Sequence, residues 1–159
     1  LNPVSGARPL VFWDDLEKTY NVKYAGKIDP EQYADWMKFA IPFRMTSAYI
    51  EGSFERKLTG NGTVKNSGNI ETPFVLQITG PVQNPIVTVG DATFEYVGDI
   101  PSGQVLIIDT GRQAAELDGV NALDDVIGGS DTMLPPGETA VSAGASGGHV
   151  TIIWRERWI

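Results

Sequence analysis

The alternation of apolar and polar residues is most regular between Asn66 and Asp91. Residues 74–79 place apolar side chains on one face and a mixed set on the other, the period-2 pattern of a strand with one side against a core. Gly80 and Pro81 end this run, since proline has no N–H to give to a ladder. Residues 86–89 repeat the apolar pattern. The stretch therefore predicts two successive β-strands joined by a turn.

Short strands of this kind follow one another along most of the chain, each bounded by Gly, Pro, Asn or Asp. We expect residues 104–109 to be buried on both faces because the run is almost wholly apolar. From residue 53 onward we count about eight or nine strands at a spacing of about 8–12 residues, which is typical of an antiparallel β-sandwich. The predicted strands are residues 10–13, 20–25, 53–58, 74–79, 86–89, 92–97, 104–109, 113–117, 139–141 and 149–159.

The N-terminal third has a different residue pattern from the rest of the chain and predicts one short helix. Asp29 suits the N-cap and Pro30 the first helical position, while Tyr33, Trp36 and Met37 fall at i, i+3 and i+4 on one helical face. We accordingly divide the chain into residues 1–50 and a sandwich domain of residues 51–159. Because the sequence opens with leucine and soon reads as a strand, we expect a further N-terminal part to precede it.

The last predicted strand carries the candidate interaction residues. Its alternation places Trp154 and Trp158 on one face and Arg155 and Arg157 on the other. Two interpretations stay open for these four positions. The tryptophans complete the intramolecular core, or the arginine face and Trp158 contact a neighbouring subunit.

Composition limits the classes of partner. The chain of 159 residues has a formal net charge of −8 and no cluster of Lys and Arg suited to neutralising phosphates, so we expect no nucleic-acid partner. It contains no cysteine, which excludes disulfide and thiolate chemistry. No apolar run approaches the roughly 18 residues of a membrane span, so we expect no membrane partner.

One motif suggests an active site. Asp109, Thr110 and Gly111 follow an apolar run, as in the active-site loop of aspartic proteases, where two carboxylates share a proton. Arg112 stands where that class favours a small residue, and Ile127-Gly128 comes too early to be its flap. A strand end followed by an Asx-type turn is the favoured interpretation.

The remaining polar residues predict no catalytic or metal site. His149 is the only histidine, and no Gly-x-Ser-x-Gly elbow is present to accompany it. The acidic clusters, at residues 14–17 and at Asp118, Asp124 and Asp125, do not match a calcium loop and favour solvated loops. We expect no catalytic residue, no metal and no organic cofactor.

The order of several segments resembles the siphophage distal tail protein (Dit) family. The resemblance is carried by the Pro-bounded strand of residues 72–81, an Asp-Thr strand leading into the Asp118-Gly119 hairpin, the Leu-Pro-Pro-Gly corner at residues 134–137, and the terminal Trp-Arg strand. These segments resemble the family's C-terminal domain. Residues 12–24 and 36–43 are similar to the end of its N-terminal β-domain.

The resemblance implies a fold and a role. It implies a mainly β, galectin-like or jelly-roll sandwich preceded by the end of another β-domain. It further implies a non-enzymatic virion protein, made in the host bacterial cytoplasm, whose full-length form builds a hexameric ring at the tail tip. The expected partners are the tail tube and the baseplate, receptor-binding or fibre proteins.

Two other functions stay open at this point. A carbohydrate-binding module requires an exposed aromatic platform, which Trp154, Trp158, Tyr96 or Phe94 would supply if they point outward. A retroviral-type aspartic protease would depend on Asp109.

Overall fold

The computed structural model describes residues 6–144 and 149–159. The chain forms two compact units, Leu1–Ser53 with Ile159, and Phe54–Trp158. The sequence predicts a Gly-rich tip at residues 143–148, of which only Ala143 and Gly144 lie within the described residues.

The first unit is built around one long strand. β2 pairs antiparallel with β1, with Leu10 opposite Tyr20, and it also pairs with β5 and β6. The two strands predicted at residues 10–13 and 20–25 are thus the arms of a hairpin that turns at Trp13-Asp14. The strands are β1 Arg8–Phe12, β2 Asp15–Tyr24, β3 Glu31–Gln32, β4 Met37–Lys38, β5 Phe43–Met45 and β6 Ile50–Gly52.

The predicted N-terminal helix is wrong, because the segment forms a small hairpin of β3 and β4. The N–H of Tyr33 donates to the carbonyl oxygen of Trp36 at 2.8 Å, and their rings stack at a centroid distance of 4.0 Å. Tyr33 and Trp36 have the i, i+3 spacing that suggested a helical face. The same spacing separates the first and last residues of the four-residue turn between β3 and β4. A helix of so few residues has too few hydrogen bonds to offset the cost of nucleation.

The second unit contains two larger sheets. One has the strand order β16-β15-β14-β9-β19-β7 and the other β17-β12-β11-β18-β8, and β10 pairs with β13. All recorded pairs are antiparallel, and a one-turn 3₁₀ helix, Leu123–Asp125, precedes β17. The strands are β7 Arg56–Thr59, β8 Gly62–Asn66, β9 Phe74–Thr79, β10 Val82–Gln83, β11 Ile86–Val89, β12 Ala92–Tyr96, β13 Asp99–Ile100, β14 Val105–Asp109, β15 Ala114–Leu117, β16 Val120–Asn121, β17 Val126–Ile127, β18 Gly137–Ala143, β19 His149–Trp154 and β20 Arg157–Trp158.

The core lies between the two sheets and receives every second side chain of their central strands. Each large apolar side chain buried there contributes about 1.5–3 kcal/mol relative to exposure. Both sheets supply one continuous cluster, which confirms the predicted antiparallel sandwich. Its members include Phe74, Leu76, Ile78, Leu106, Ile108, Val150, Ile152 and Trp154 from one sheet and Val64, Val87, Val89, Phe94, Tyr96 and Val141 from the other.

Two details of the strand predictions are wrong. β14 is not buried on both faces, because Leu106 and Ile108 point into the core while Ile107 is 37% exposed. The last strand is also not continuous, since β19 ends at Trp154 and β20 begins at Arg157. The hydroxyl of Thr72 donates to the carbonyl oxygen of Arg155, which holds the chain at this break.

The turn at Gly80 requires glycine because two strands approach closely there. A Cβ at this position would lie 2.3 Å from the carbonyl oxygens of Ile100 and Pro101. No other residue fits without moving the backbone. Gly80 thereby lets β9 end beside the β10–β13 pair.

Candidate functional site

The four candidate interaction residues near the C-terminus do not form one exposed patch. Trp154 is 7% exposed and belongs to the sandwich core, whereas Arg155 reaches solvent and pairs with Glu55 at 3.2 Å. Arg157 and Trp158 are half-buried, and the carbonyl oxygen of Arg157 accepts from the Asn69 N–H at 3.1 Å. A contact of Arg155, Arg157 or Trp158 with a neighbouring subunit stays a prediction.

The residue that the sequence analysis missed here is Glu156, a carboxylate that is only 4% exposed. Its Oε2 accepts from the Arg56 guanidinium, with both Nε and Nη2 at 3.4 Å, and its Oε1 accepts from the Ser67 N–H at 3.3 Å. The signal was present in the sequence, because Glu156 lies between Trp154 and Trp158 in the inward phase of the alternation. A charge in that phase indicates a buried ion pair.

Removing Arg56 is expected to cost more stability than neutralising Glu156. The change Arg56→Met keeps an apolar stem but leaves a buried carboxylate without its cation, so we expect unfolding to become easier by about 1–3 kcal/mol. The change Glu156→Gln leaves Arg56 partly in water and keeps an acceptor for Ser67, so we expect about 1 kcal/mol or less. Urea unfolding followed by tryptophan fluorescence measures both.

Lys57→Met is the matched control for this comparison. Lys57 is exposed next to Arg56, and no ion pair of Lys57 occurs within residues 6–144 and 149–159. Its replacement should change the free energy of unfolding by less than about 0.5 kcal/mol. Equal losses in Arg56→Met and Lys57→Met, or a larger loss in Glu156→Gln, would contradict a structural ion pair.

A basic groove lies at the edge of the sandwich where β7 ends one sheet and β8 ends the other. It encloses about 420 Å³, and we call it the β7–β8 groove. Its walls include the pair of Arg56 and Glu156 described above and the core residue Trp154. The other lining residues are Lys57, Thr63, Lys65 and Ser67.

The charge of this groove contrasts with the unit that carries it. Phe54–Trp158 contains six Lys or Arg against thirteen Asp or Glu, a formal difference of −7. Five of the six cations lie within residues 55–66 and 154–158, and the sixth is Arg112. The opposite edge carries acidic residues of the loops around β15 to β17, including Asp118, Asp124 and Asp125.

The Asp109-Thr110-Gly111 motif is an Asx-type turn with a buried threonine. Asp109 Oδ1 accepts from the N–H groups of Gly111 at 2.9 Å and Arg112 at 3.0 Å. The Thr110 hydroxyl accepts from the Phe74 N–H at 3.0 Å and donates to the Phe74 carbonyl oxygen at 3.1 Å. Both side chains satisfy backbone groups at the end of β14, so their hydrogen bonds account for the motif without catalysis.

The other polar candidates lie apart. His149 is exposed at the start of β19, and Asp118 and Gly119 both have positive φ, as the predicted hairpin turn requires. Within the described ranges, no group of three or more His, Asp or Glu side chains is placed to hold a metal ion. In the same ranges, no helix has the length and apolar character to cross a membrane.

Tyr96 and Lys18 have shifted pKa values. Burial raises the pKa of the Tyr96 hydroxyl, and the negative charges of Asp125 and Asp99 add to this. A hydrogen bond to Asp15 raises the pKa of Lys18 in the first unit. Tyr96 borders a cleft of about 350 Å³ beside Asp118 and Asp125, so this cleft disfavours anions.

The aromatic platform considered for sugars is not available on the sandwich. Phe94, Tyr96 and Trp154 are 1%, 6% and 7% exposed, and Trp158 is half-buried. A sugar ring needs an accessible aromatic face, which the three buried rings do not offer. This set of residues therefore gives the carbohydrate-binding interpretation no support.

Exposed apolar side chains concentrate in the first unit instead. Val22 is the only apolar residue of Gly6–Ser53 that is fully buried among those described. Such exposure is typical of surfaces that other protein covers. The large exposed apolar side chains are Val11, Phe12, Trp13, Leu16, Tyr33, Trp36, Met37, Phe39, Phe43 and Met45.

Comparison with known proteins decides the family. Residues 67–158 match the family model SPP1_Dit, described as the C-terminal domain of a siphovirus-type tail component, and the match covers more than half of the chain. The chain belongs to this Dit tail-component family. It is thus a phage tail structural protein, and the resemblance found in the sequence is confirmed.

The Dit fold extends over nearly the whole chain. The crystal structure of SPP1 Dit, described as a paradigm of the hub adsorption apparatus in phages that infect Gram-positive bacteria, superposes with a TM-score of 0.73 at 15% identity. The match covers 98% of this chain but 66% of SPP1 Dit. It shows the fold and is consistent with the predicted galectin-like sandwich. No curated protein matches the chain.

Proposed function

We propose that this Dit chain is part of a hub at the tail tip that joins the tail tube to baseplate, receptor-binding or fibre proteins. In this proposal it is made in the host cytoplasm and assembles in the virion as a hexameric ring. The exposed apolar surface of the first unit carries the proposal, because ten large apolar side chains there require cover. Head-to-tail contacts between identical copies close into rings when the rotation permits.

The proposed division of labour follows from the two units. Residues 1–50 would supply the end of the ring-forming β-domain, and residues 51–159 would form the sandwich that faces outward and holds other tail proteins. The second unit supports this role because its own apolar cluster is already closed. Among the described residues, its surface exposes six large apolar side chains against ten in the smaller segment Gly6–Ser53, and a mixed surface of this kind is usual for contacts between proteins that also fold separately.

A pair of substitutions in the β1–β2 hairpin tests the ring. Trp13 and Leu16 are 87% and 60% exposed, so changing both to Ser should spare folding while removing apolar contact area. We expect the full-length protein to form rings of uniform diameter in negative-stain images and a hexamer by light scattering. The double variant should shift toward monomers.

Phe54→Ser provides the control for the ring. Phe54 is 58% exposed, like Leu16, but belongs to the sandwich unit. Rings should persist in this variant. A monomeric full-length protein, or a Trp13 and Leu16 double variant that still forms rings, would overturn the proposal.

We further infer that the chain performs no bond-making chemistry. Asp109 is committed to a local turn, because its Oδ1 accepts from the N–H groups of Gly111 and Arg112 and its Oδ2 lies 3.4 Å from the Arg112 guanidinium. A peptidase activity that is present in the unmodified protein and abolished by Asp109→Asn would contradict this inference.

A further inference from the structure

The β7–β8 groove runs along β7, whose outer side has no partner strand among the residues that the structure describes. β7 pairs with β19 through Lys57 opposite Ile153 and Thr59 opposite Thr151, and it terminates its sheet. An edge strand of this kind presents N–H and C=O groups to which another extended chain can bind. The groove is therefore a place where a further strand can be added.

The hydrogen-bond phase of β7 fixes which backbone groups face outward. The N–H of Gly60 donates to the carbonyl oxygen of Val150 at 2.8 Å. Antiparallel ladders alternate hydrogen-bonded with non-hydrogen-bonded pairs, so Lys57 and Thr59 fall in the second class. Their N–H and C=O groups consequently point away from β19.

The groove contains two lysines whose positive charges are not neutralised by ion pairs among the described residues. Neither Lys57 nor Lys65 makes an ion pair with any residue that the structure describes, whereas Arg56 is engaged by Glu156. These ammonium groups stand on a unit whose formal charge is −7. Positive charges that are clustered beside an edge strand, on a unit that is otherwise acidic, favour an acidic partner.

A buried donor at the wall of the groove also lacks an acceptor. Trp154 lines the groove, and its Nε1 is buried with no hydrogen-bond partner in residues 6–144 and 149–159. Nearly all buried polar groups in folded proteins are paired, and an unpaired one costs about 1–3 kcal/mol. An oxygen brought into the groove by a ligand would satisfy this N–H after a small adjustment of the wall.

We propose that the β7–β8 groove binds an extended acidic segment of a partner protein. The segment adds to the sheet beside β7 by pairing with the outward groups of Lys57 and Thr59. Its carboxylates lie near Lys57 and Lys65, and one of its oxygens accepts from the Trp154 indole. The inference does not depend on the ring, since every residue used lies in the sandwich unit.

Edge lysines also have a simpler explanation, because charge on an edge strand discourages aggregation between sheets. That explanation requires no ligand and no change at Trp154. It predicts that losing Lys57 and Lys65 promotes aggregation, whereas our proposal predicts weaker binding by a protein that stays monodisperse. The two are distinguished by binding measurements on monodisperse samples.

The test uses the 159-residue chain and a labelled extended peptide of alternating Glu and Thr. Fluorescence anisotropy should show salt-sensitive binding that is lost when Gln replaces Glu in the peptide. The double variant Lys57→Gln, Lys65→Gln should bind about tenfold more weakly, because two exposed charge pairs are removed. Lys38→Gln with Arg112→Gln removes the same charge elsewhere and should leave the affinity unchanged.

A backbone pair of variants tests the strand addition itself. Thr59→Pro deletes one outward N–H and leaves the ladder to β19 intact, so it should weaken peptide binding about tenfold. Thr59→Val changes the same side chain but keeps the N–H, and it should bind like the unmodified chain. Equal affinity in the proline variant would overturn strand addition.

The Trp154 indole supplies a measurement that distinguishes binding in the groove from attraction by surface charge alone. Its N–H resonance in a two-dimensional NMR spectrum, assigned from Trp154→Phe, should shift as the peptide is added. Failure of the peptide to bind, or an unmoved Trp154 resonance, would overturn the proposal. Binding of inorganic polyphosphate in place of the peptide would also overturn the proposal, because the groove would then recognise negative charge alone and not an extended peptide.

Discussion

Replacing Phe74 with Ala is expected to lower the free energy of unfolding of the sandwich by about 3–5 kcal/mol. Phe74 is 2% exposed and begins β9, the strand that lies between β14 and β19. Its ring meets that of Phe94 edge to face at a centroid distance of 5.8 Å, which joins one sheet to the other. Truncation would leave a cavity between the layers, and the surrounding strands are too constrained to fill it.

Ile107→Ala is the control for the core. It lies on β14, next to β9, but points away from the core and is 37% exposed. Its truncation should cost less than about 1 kcal/mol. Chemical denaturation of both variants gives the comparison. Similar losses at Phe74 and Ile107 would mean that the apolar layer between the sheets does not hold the fold together.

The sequence determined the central strands well because several local signals agreed there. The predicted bounds of residues 74–79 and 86–89 are those of β9 and β11. Each strand combines a period-2 burial pattern with a residue that ends it, since Pro81 has no N–H for a ladder and Gly90 adopts a positive φ. Local and global preferences point to the same structure in these strands, which is the usual condition for a reliable prediction.

The sequence failed where one spacing fits two structures. Tyr33 and Trp36 satisfy a helical face and also a tight hairpin. The start signal at Asp29 and Pro30 favoured the helix. The hairpin forms because stacking of the two rings and one backbone hydrogen bond act over four residues. A helix would have needed an apolar surface to pack on, which single-sequence periodicity does not reveal.

Long-range polar contacts lay beyond sequence reasoning for a different reason. Arg56 and Glu156 are 100 positions apart, so no local pattern connects them. The same holds for the β7–β8 groove, whose walls come from both ends of the sandwich unit. The sequence indicated the C-terminal segment as a candidate surface, which stays a prediction. It could not show that Trp154 turns inward while the cations of β7 and β8 stay outside.

The Asn66 side chain connects backbone segments at the corner that precedes β9. It is 2% exposed, and its Nδ2 donates to the carbonyl oxygens of Ile70 at 2.9 Å and Leu134 at 3.1 Å. Its Oδ1 accepts from the Gly68 N–H at 3.0 Å. The amide therefore uses both donors and its acceptor on backbone groups, two of them in the following four residues and one 68 positions away. No isosteric side chain without an NH₂ group can do the same.

The change Asn66→Asp is expected to destabilise the sandwich by about 3–5 kcal/mol at neutral pH. The introduced carboxylate would face the oxygens of Ile70 and Leu134, and burial would raise its pKa above the ordinary value of about 4. Because the pKa is higher in the folded than in the unfolded state, the free energy of unfolding falls as pH rises from the ordinary value of about 4 towards the raised pKa. The loss should therefore be smaller at pH 4 than at pH 7 when unfolding is measured in urea.

Two further variants separate charge from lost hydrogen bonds at this corner. Asn66→Ala should show a loss that differs little between the two pH values, because it introduces no titrating group. Asn61→Asp should be nearly neutral, since Asn61 is exposed and uses only its Oδ1, as acceptor for the Ala143 N–H at 2.7 Å. If Asn66→Asp unfolds as easily at pH 4 as at pH 7, repulsion between the carboxylate and the two carbonyl oxygens is not the cause. The donor role assigned to the Asn66 amide would then be wrong.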